Sequence, residues 1–426
     1  PQFMPRLLYI AAAIVGLLIV ILILALVGVG RKEPELQPYA LEMWGIEDDE
    51  IVWHQVIEEF RKEYPHISVS YRRFPSDSYE ETLVNRLAEG TGPDIFMLRN
   101  SWLARHRDKI FPLPAQSKPL PSSEFKRAFA DEPATTLLGA KGELFGLPIF
   151  IDSLALFYNK DIFDRVGIAQ PPRTWEETAD LTQHLTQRSA AGDIIRSGLA
   201  LGSGKNIDHA FEILSALILQ RGEAIVKADG RSVELGRGAE EALAFYTSFA
   251  DSGSKNFSWS RRLPKSLDAF AGGQTVMAIG FASDIARVNA KNPHLNFGVA
   301  PLPQPVGSQP SRTFAYYFFP AVSRLSKNPS PAWQFIFWVS GAQGAKAYQQ
   351  ASGRPPARRD LITAGGKTEA DQVFFKQALA SRSWPVPDEE AARRIFETAL
   401  DSLASRAITP EQAISQISQQ LSRLLP

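Results

Sequence analysis

The sequence predicts an α/β protein built from two lobes that are joined by crossing segments. The chain has 426 residues, which is more than a single hydrophobic core usually organises. From position 39 onward, short apolar segments typical of strands alternate with segments of helical periodicity, as in α/β folds. A stretch rich in glycine and apolar residues at positions 142–167 then indicates where the chain leaves one lobe and enters the other.

The composition favours a small ligand over a nucleic acid. Lys+Arg and Asp+Glu both number 46, and the chain has no long basic run. Hydrophobic residues make up 44%, enough to fill two cores, and cysteine is absent. Disulfides, thiolate metal sites and cysteine nucleophiles are therefore excluded. We predict no metal and no cofactor.

Positions 7–30 predict a membrane-spanning helix, because they carry no charge and have basic residues on both sides. A helix of that length would extend about 36 Å, and the bilayer core is about 30 Å thick. A signal peptide is the alternative, although its apolar region usually covers only about 7 to 15 residues. We therefore predict an anchor or uncleaved signal at 1–30 and a linker at 31–38. The expected location is the cell membrane, with a single span and an extracytoplasmic C-terminal region.

The first lobe begins with a βαβαβ pattern. Acidic residues after the first predicted strand suit the N-terminus of a helix, and Ser78 with Glu81 predicts a capping box on the second helix. The predicted strands are Tyr39–Ile46, Ile67–Tyr71 and Ile95–Leu98.

The crossing stretch contains an almost unbroken apolar run, Leu154–Tyr158. Such a run is typical of a strand that is buried on both faces. Asn159 then offers a side-chain cap for a short helix, and Gly167 is expected to end that helix.

The remaining elements follow a proline pair at positions 171–172. Thr174 and Glu177 predict a capping box at the start of a helix. The other predicted elements are strands Gly198–Leu201, Thr275–Gly280, Phe297–Ala300 and Thr313–Val322, and helices Ile207–Leu219, Glu240–Ala250 and Pro410–Leu425.

Several phrases in this order resemble one known family. They are LEMWG at 41–45, GTGPDIFML at 90–98, GELFGLPIFIDSLALFYNKDIFDRVG at 142–167, PPRTWEE at 171–177, LDAFAGGQTVMAIG at 267–280, FGVAPLP at 297–303, SGRPPARRDL at 352–361 and EQAISQISQQLSRLL at 411–425. The arrangement is similar to the extracellular solute-binding proteins of ABC importers, in particular family 1, the maltose-binding-protein-like sugar receptors.

The resemblance implies a two-lobed periplasmic-binding-protein-like fold with a hinge. By analogy, residues 39–148 plus 266–314 form lobe 1, and residues 149–265 plus 315–426 form lobe 2. The resemblance further implies a monomeric receptor, not an enzyme, that captures a small solute such as an oligosaccharide and delivers it to ABC permease subunits.

A sugar site needs aromatic faces and planar hydrogen-bonding groups, which in α/β sheets come from the carboxyl ends of strands. Arg354, in a loop after a glycine, is expected to reach the cleft. Core packing is the alternative for the aromatic candidates, except that Trp102 is expected to begin an exposed helix. The other candidates are Trp44, Glu47, Asn100, Trp102, Phe150, Asp152, Phe281, Asp284, Tyr316 and Tyr317.

Two segments differ from the pattern common in the family. The residues after Thr275–Gly280 are Phe281-Ala282-Ser283, where family members often carry Pro-Trp with the Trp as a sugar platform. The segment Phe314–Phe319 is bulkier than the glycine-rich run usually found there. Both differences indicate a narrower or more apolar cleft.

Enzymatic function is the main alternative class. The sequence has no Gly-x-Ser-x-Gly elbow and no His-Glu-x-x-His helix, and its six histidines show no metal-ligand spacing. Scattered carboxylates leave a membrane-tethered glycoside hydrolase open, because its two acids need only meet in space. A ligand-sensing receptor that is not coupled to import also remains open.

Overall fold

The computed structural model describes residues 37–117, 120–227, 232–386 and 388–425. The predicted membrane span at 7–30 lies outside these ranges, as does most of the predicted linker. Within the described ranges, no helix combines the length and the apolar character needed to cross a bilayer.

The strands of the described residues are short, and many are fully buried. In chain order they are β1 (Tyr39–Gly45), β2 (Ile67–Arg73), β3 (Ile95–Arg99), β4 (Asp152–Ser153), β5 (Ala155–Asn159), β6 (Gln187–Arg188), β7 (Ile194–Leu199), β8 (Thr275–Gly280), β9 (Phe297–Pro301), β10 (Thr313–Tyr316), β11 (Phe318–Val322) and β12 (Ser381–Arg382).

Helices cover the sheets and fill most of the C-terminal third of the described chain. They are α1 (Glu50–Glu63), α2 (Tyr79–Ala88), α3 (Leu103–His106), α4 (Ser122–Ala128), α5 (Asp131–Thr136), α6 (Lys160–Val166), α7 (Trp175–Leu185), α8 (Ala210–Gln220), α9 (Arg237–Ser248), α10 (Ser266–Ala271), α11 (Asp284–Lys291), α12 (Pro329–Ser340), α13 (Ala342–Ser352), α14 (Arg359–Ala364), α15 (Glu369–Ala380), α16 (Glu389–Ala404) and α17 (Pro410–Ser422). Single 3₁₀ turns occupy Asn100–Trp102 and Arg107–Lys109.

The first lobe is built on a four-stranded sheet with the order β11-β3-β1-β2. β1 and β3 are parallel, with Met43 opposite Ile95, and β11 joins the edge of β3 in the antiparallel sense. Helix α12 packs on β11, and α13 packs on α1. The lobe therefore combines the N-terminal βαβαβ unit with a later segment of the chain.

The second lobe is built on a five-stranded sheet with the order β6-β7-β8-β5-β9. β5 lies between two antiparallel neighbours, so that Leu156 faces Ile279 on β8 and Ala300 on β9. Every residue of β5 except Tyr158 is buried. The prediction of a strand buried on both faces is confirmed at this position.

A small third sheet, with the order β12-β10-β4, lies where the chain passes between the lobes. β10 pairs with β4 in the antiparallel sense, with Ala315 opposite Ser153. Leu154 alone separates β4 from β5, and Tyr317 alone separates β10 from β11. The predicted single strand Thr313–Val322 is therefore two strands, which belong to different sheets.

The predicted division of the lobes is wrong for residues 266–314. The strands of that segment, β8 and β9, pair with β5 and so complete the sheet of the second lobe. The segment that returns to the first lobe is β11 with α12 and α13, because β11 pairs with β3. Both segments are apolar, and the choice between them depends on pairing across distant parts of the chain.

The helix caps confirm two local predictions and correct a third. Asn159 accepts a hydrogen bond from the backbone N–H of Ile162 at 3.0 Å, and Gly167 ends α6 with φ 75°. Thr174 and Glu177 form the predicted capping box. Ser78 does not cap α2, because its backbone is helical (φ −114°, ψ −6°) and its hydroxyl makes no cap hydrogen bond.

Candidate functional site

A cavity of about 790 Å³ lies between the two lobes. The loops after β1 and α13 line it from the first lobe, and the starts of α11 and α15, together with β9, line it from the second. The carboxyl ends of β1 and β8 lead directly into these walls, which is the usual position of ligands in α/β sheets. The polar residues that line the cavity include Glu47, Asp48, Lys160, Ser283, Asn289 and Arg354.

Arg354 organises the first-lobe wall. Gly353 ends α13 in the left-handed conformation, with φ 70°, and the next residue turns inward. The Nε of Arg354 donates to Asp48 Oδ1 at 2.9 Å, and its Nη2 donates to Glu47 Oε2 at 3.2 Å. Only 8% of Arg354 is exposed, and its guanidinium lies 4.6 Å from the ring centroid of Phe150. The two carboxylates thus compensate a cation that is almost fully removed from water.

Tyr316 connects this wall to the crossing segments. Its hydroxyl donates to Glu47 Oε1 at 2.9 Å. One side of its ring contacts Phe281 of the second lobe, with centroids 5.3 Å apart, and the guanidinium of Arg99 lies 5.0 Å from its centroid. Tyr316 is half-buried. A residue at the end of β10 therefore contacts both lobes.

Asp152, on the crossing strand β4, fixes the second-lobe wall. Its side chain is fully buried and accepts hydrogen bonds from the backbone N–H groups of Ser153 (2.8 Å), Ala282 (2.8 Å) and Ser283 (3.0 Å). Burial raises the pKa of the Asp152 carboxyl, while the charge of Arg354 and these N–H groups oppose that rise. The bonds tie the crossing strand to the loop whose residues 282 and 283 line the cavity.

Asp284 and His209 form a second polar pair beside this loop. Asp284 Oδ2 accepts from the backbone N–H of Phe281 at 2.8 Å and lies 2.7 Å from His209 Nε2. His209 has a positive φ of 61° and contacts the edge of the Phe281 ring, with centroids 4.8 Å apart. Burial alone would lower the pKa of His209, but the Asp284 carboxylate raises it overall. The pair holds the Phe281 loop against α8.

The matching family profile is described as bacterial extracellular solute-binding protein, and it covers residues 48–346. The chain belongs to this family of solute-binding proteins. The profile begins three residues after β1 and ends within α13, so it covers all five strands of the second sheet but neither Glu47 nor Arg354.

Curated relatives of this solute-binding protein are binding proteins as well. A binding protein of Brucella abortus is 27% identical over 348 residues, which are 80% of this chain and 79% of the relative. A protein of Deinococcus radiodurans, named as an ABC transporter-binding protein, is 25% identical over 79% of this chain and 81% of its own. A maltotriose-binding protein of Pyrococcus abyssi is 23% identical over only 31% of this chain and 30% of its own.

Solved structures share the fold of this solute-binding protein. A cyclo/maltodextrin-binding protein in complex with maltotetraose has a TM-score of 0.75 at 21% identity, covering 92% of this chain and 98% of its own. The sugar-binding protein MalE from Xanthomonas citri has a TM-score of 0.76 at 20% identity, covering 90% and 97%. The GacH receptor of Streptomyces glaucescens has a TM-score of 0.73 at 19% identity, covering 91% and 98%.

The predicted site residues of this solute-binding protein fall into two groups. Glu47 and Arg354 line the cavity, and the side chains or backbones of a further four contact its lining loops: Asp152, Phe281, Asp284 and Tyr316. The other five pack inside or beneath the first lobe: Trp44, Asn100, Trp102, Phe150 and Tyr317.

The prediction that Trp102 begins an exposed helix is wrong. The chain turns sharply after β3, and Trp102 is only 8% exposed. Its ring stacks on Tyr79 at a centroid distance of 6.3 Å and meets the edge of Phe318 at 6.1 Å. The residue is therefore a packing element of the first lobe.

The remaining aromatic candidates pack in the core and do not line the cavity. Trp44 packs against Phe74, with centroids 4.5 Å apart, and its Nε1 donates to Glu42. Phe150 and Tyr317 are fully buried. Asn100 exchanges hydrogen bonds with the backbone of Tyr317, accepting through Oδ1 at 3.4 Å and donating its backbone N–H at 3.0 Å.

Sequence reasoning missed several lining residues and His209. Lys160 lies at the start of a predicted helix, whereas Ser283 and Asn289 lie at and within α11, which was not predicted. Nothing in their local pattern separates a lining residue from a solvated one. His209 was placed inside a helix from Ile207, whereas α8 begins at Ala210. The His209 side chain is consequently free to reach Asp284, 75 positions further along the chain.

Proposed function

We propose that this solute-binding protein is the receptor of an ABC importer, which captures a short oligosaccharide between its lobes and closes over it by a hinge motion. The observation that carries the proposal is the cavity between the lobes, whose largely apolar wall carries polar and charged groups of both lobes. A ligand in that cavity would contact both lobes at once and so stabilise the state in which they are close together.

The names of related proteins support the same assignment. Maltotetraose and acarbose are ligands of structures with the same fold, and one relative is named for an ABC transporter. Delivery of a sugar to permease subunits would be consistent with these names. In this proposal the receptor is a monomer and residues 7–30 tether it to the outer face of the membrane.

The proposed ligand contacts are polar groups of the cavity wall. Glu47 and Arg354 would bind sugar hydroxyls, since hydrogen bonds to charged groups contribute about 1.5–3 kcal/mol each. Tyr316 would offer part of its ring as a platform. Asp152, Phe281 and Asp284 would position the second-lobe loop. The five packed residues would support the first-lobe wall from behind: Trp44, Asn100, Trp102, Phe150 and Tyr317.

The hinge in this proposal consists of the crossing segments. β4 and β10 pair with each other and continue, after one residue each, into strands of different lobes. Small changes of backbone angle at Leu154 and Tyr317 would therefore rotate one sheet relative to the other.

A thermal-shift screen tests the proposal. The full chain, in a detergent without a sugar headgroup, is heated alone and with maltose, maltotriose, maltotetraose, mannobiose, amino acids, dipeptides or polyamines. A sugar present at about 100 times its dissociation constant should stabilise the folded state by about 2.7 kcal/mol, which raises the melting temperature by a few degrees. Stabilisation by amino acids, peptides or polyamines alone would show that the carbohydrate assignment is wrong.

A further inference from the structure

The first turn of α16 connects the second lobe to the first. Glu389 accepts hydrogen bonds from Arg99 Nη1 and Ser101 Oγ, both at the carboxyl end of β3. One residue earlier, Asp388 Oδ2 accepts from Arg105 Nη2 at 2.8 Å. The carboxylates belong to one lobe and the groups that donate to them belong to the other, so these contacts bridge the two lobes.

Both halves of this contact are held firmly by their own lobes. Phe396 and Leu400 anchor α16 in the core of the second lobe. Arg393 donates to Glu389 at 3.0 Å and to Glu212 at 2.7 Å, which fixes the Glu389 carboxylate from behind.

On the other side, three aromatic rings surround the guanidinium of Arg99. Its Cζ lies 5.1 Å from the centroid of Trp102, 5.0 Å from that of Tyr316 and 5.4 Å from that of Phe318. The rings restrict the side chain, so that little conformational entropy is lost when it meets Glu389.

The central pair is largely shielded from water. The side chain of Glu389 is 7% exposed and that of Arg99 is 15% exposed, whereas Arg105 and Asp388 at the rim are 45% and 30% exposed. An ion pair that is shielded from water interacts more strongly than an exposed one. Salt weakens the attraction in exposed ion pairs. The rim pair should therefore respond first to ionic strength.

We propose that Arg99, Ser101, Arg105, Asp388 and Glu389 form an ion-pair latch that holds the two lobes together in the absence of a ligand. The inference rests on the proposed hinge closure, and it adds that these ion pairs regulate when the lobes open. A solute can enter only after the latch has opened, so that capture speeds up as ionic strength rises. A ligand shifts the equilibrium between open and closed lobes only as far as it prefers one of these states. The latch therefore also sets the fraction of open molecules that is available when binding starts.

Distance measurements between the lobes test the latch without any ligand. The chain contains no cysteine, so Ser76→Cys on the first lobe and Thr398→Cys on the second give two unique spin-label sites, both at exposed residues. In the labelled full chain at low salt we expect one dominant short distance. In the same background, Glu389→Gln should lower the ratio of closed to open molecules at least about tenfold, equivalent to 1.4 kcal/mol. Salt at about 1 M should act in the same direction.

The matched control is Glu390→Gln. Glu390 is the next residue of the same helix, but its side chain is 81% exposed and pairs with Arg394 on the outer face of α16. Its removal should leave the distance distribution unchanged. Arg105→Gln, which removes the rim contact together with the hydrogen bond from Arg105 to Glu80 within the first lobe, provides a second variant if Glu389→Gln does not fold.

Three outcomes would overturn the latch. The first is a ligand-free wild-type chain that is already open at low salt, and the second is a Glu389→Gln distribution equal to that of the wild type. If Glu389→Gln does not fold, an Arg105→Gln distribution equal to the wild type at every salt concentration would be the third. A distance that responds to sugar but not to these variants or salt would reject the latch and keep the proposed function. In Glu389→Gln or at about 1 M salt, where open molecules are expected, sugar stabilisation without a return of the short distance would instead reject hinge closure.

Discussion

Replacing Arg354 with methionine is expected to lower the free energy of unfolding by about 3–5 kcal/mol, the usual cost of removing one partner of a buried ion pair. Asp48 is 7% exposed and, among the described residues, would keep Tyr348 as its side-chain donor, at 2.6 Å. Glu47 would lose its hydrogen bond from Arg354 Nη2 and retain that from Tyr316. Urea unfolding, followed by tryptophan fluorescence, measures the loss.

A second substitution distinguishes charge from packing at this position. In Arg354→Met with Asp48→Asn, the uncompensated carboxylate is absent, so part of the lost stability should return. Arg394→Met serves as the control, because its side chain is 62% exposed and pairs with the exposed Glu390 of the same helix. If the single Arg354 variant were as stable as the wild type, Arg354 would not organise the cavity wall.

Trp102→Ala is expected to lower the free energy of unfolding by about 3–5 kcal/mol, as large-to-small substitutions of buried aromatic residues do. The substitution removes the ring that packs between Tyr79 and Phe318 and also lies under Arg99. Trp102→Phe should lose much less, because a ring of similar shape fills most of the space. Thermal and urea unfolding of the two variants measure the difference.

The opposite result would restore the interpretation made from sequence. If Trp102→Ala kept the melting temperature of the wild type and weakened sugar binding instead, Trp102 would be an accessible platform. Trp102 would then be exposed in the state that binds the ligand, and its contacts in the first lobe would be absent from that state.

Local sequence patterns predicted the individual elements of the second sheet well. β5, β8 and β9 are apolar runs long enough to fill buried strands, and β8 has the predicted bounds. The capping box of Thr174 and Glu177 was equally readable, because both partners lie within one turn. Ser78 and Glu81 are the residue types of a capping box, but the backbone of Ser78 does not adopt the extended conformation that a cap needs. The amino-acid sequence of such a motif does not specify that conformation.

The assembly of elements into lobes could not be predicted in the same way. Thr275–Gly280 and Phe318–Val322 are both short and apolar, and only their pairing partners decide which sheet each of them completes. The crossing of the chain within Thr313–Val322 at Tyr317 is also invisible in an uninterrupted apolar run.

The candidate site depends on contacts between distant parts of the chain. Arg354 and Asp48 are 306 positions apart, and Tyr316 and Glu47 are 269 positions apart. The rule that ligands lie at the carboxyl ends of strands found Glu47 and the Phe281 loop, because it needs only the position of each strand. It could not separate Trp44 or Phe150, whose rings turn into the core, from residues that reach the cavity.

Calorimetric titration of the full chain with the sugar that stabilises it most tests the central claim most directly. Ser283 is an exposed residue of the cavity wall, and Ser283→Trp would fill the space beside it. Ala190→Trp, in the exposed turn between β6 and β7, is the control. We expect one sugar to bind per chain and to be recovered intact, with affinity at least about 100-fold weaker, or 2.7 kcal/mol, in Ser283→Trp and unchanged in Ala190→Trp. Equal affinity in Ser283→Trp, or hydrolysis of the sugar, would contradict the account of a receptor that binds its solute in this cavity.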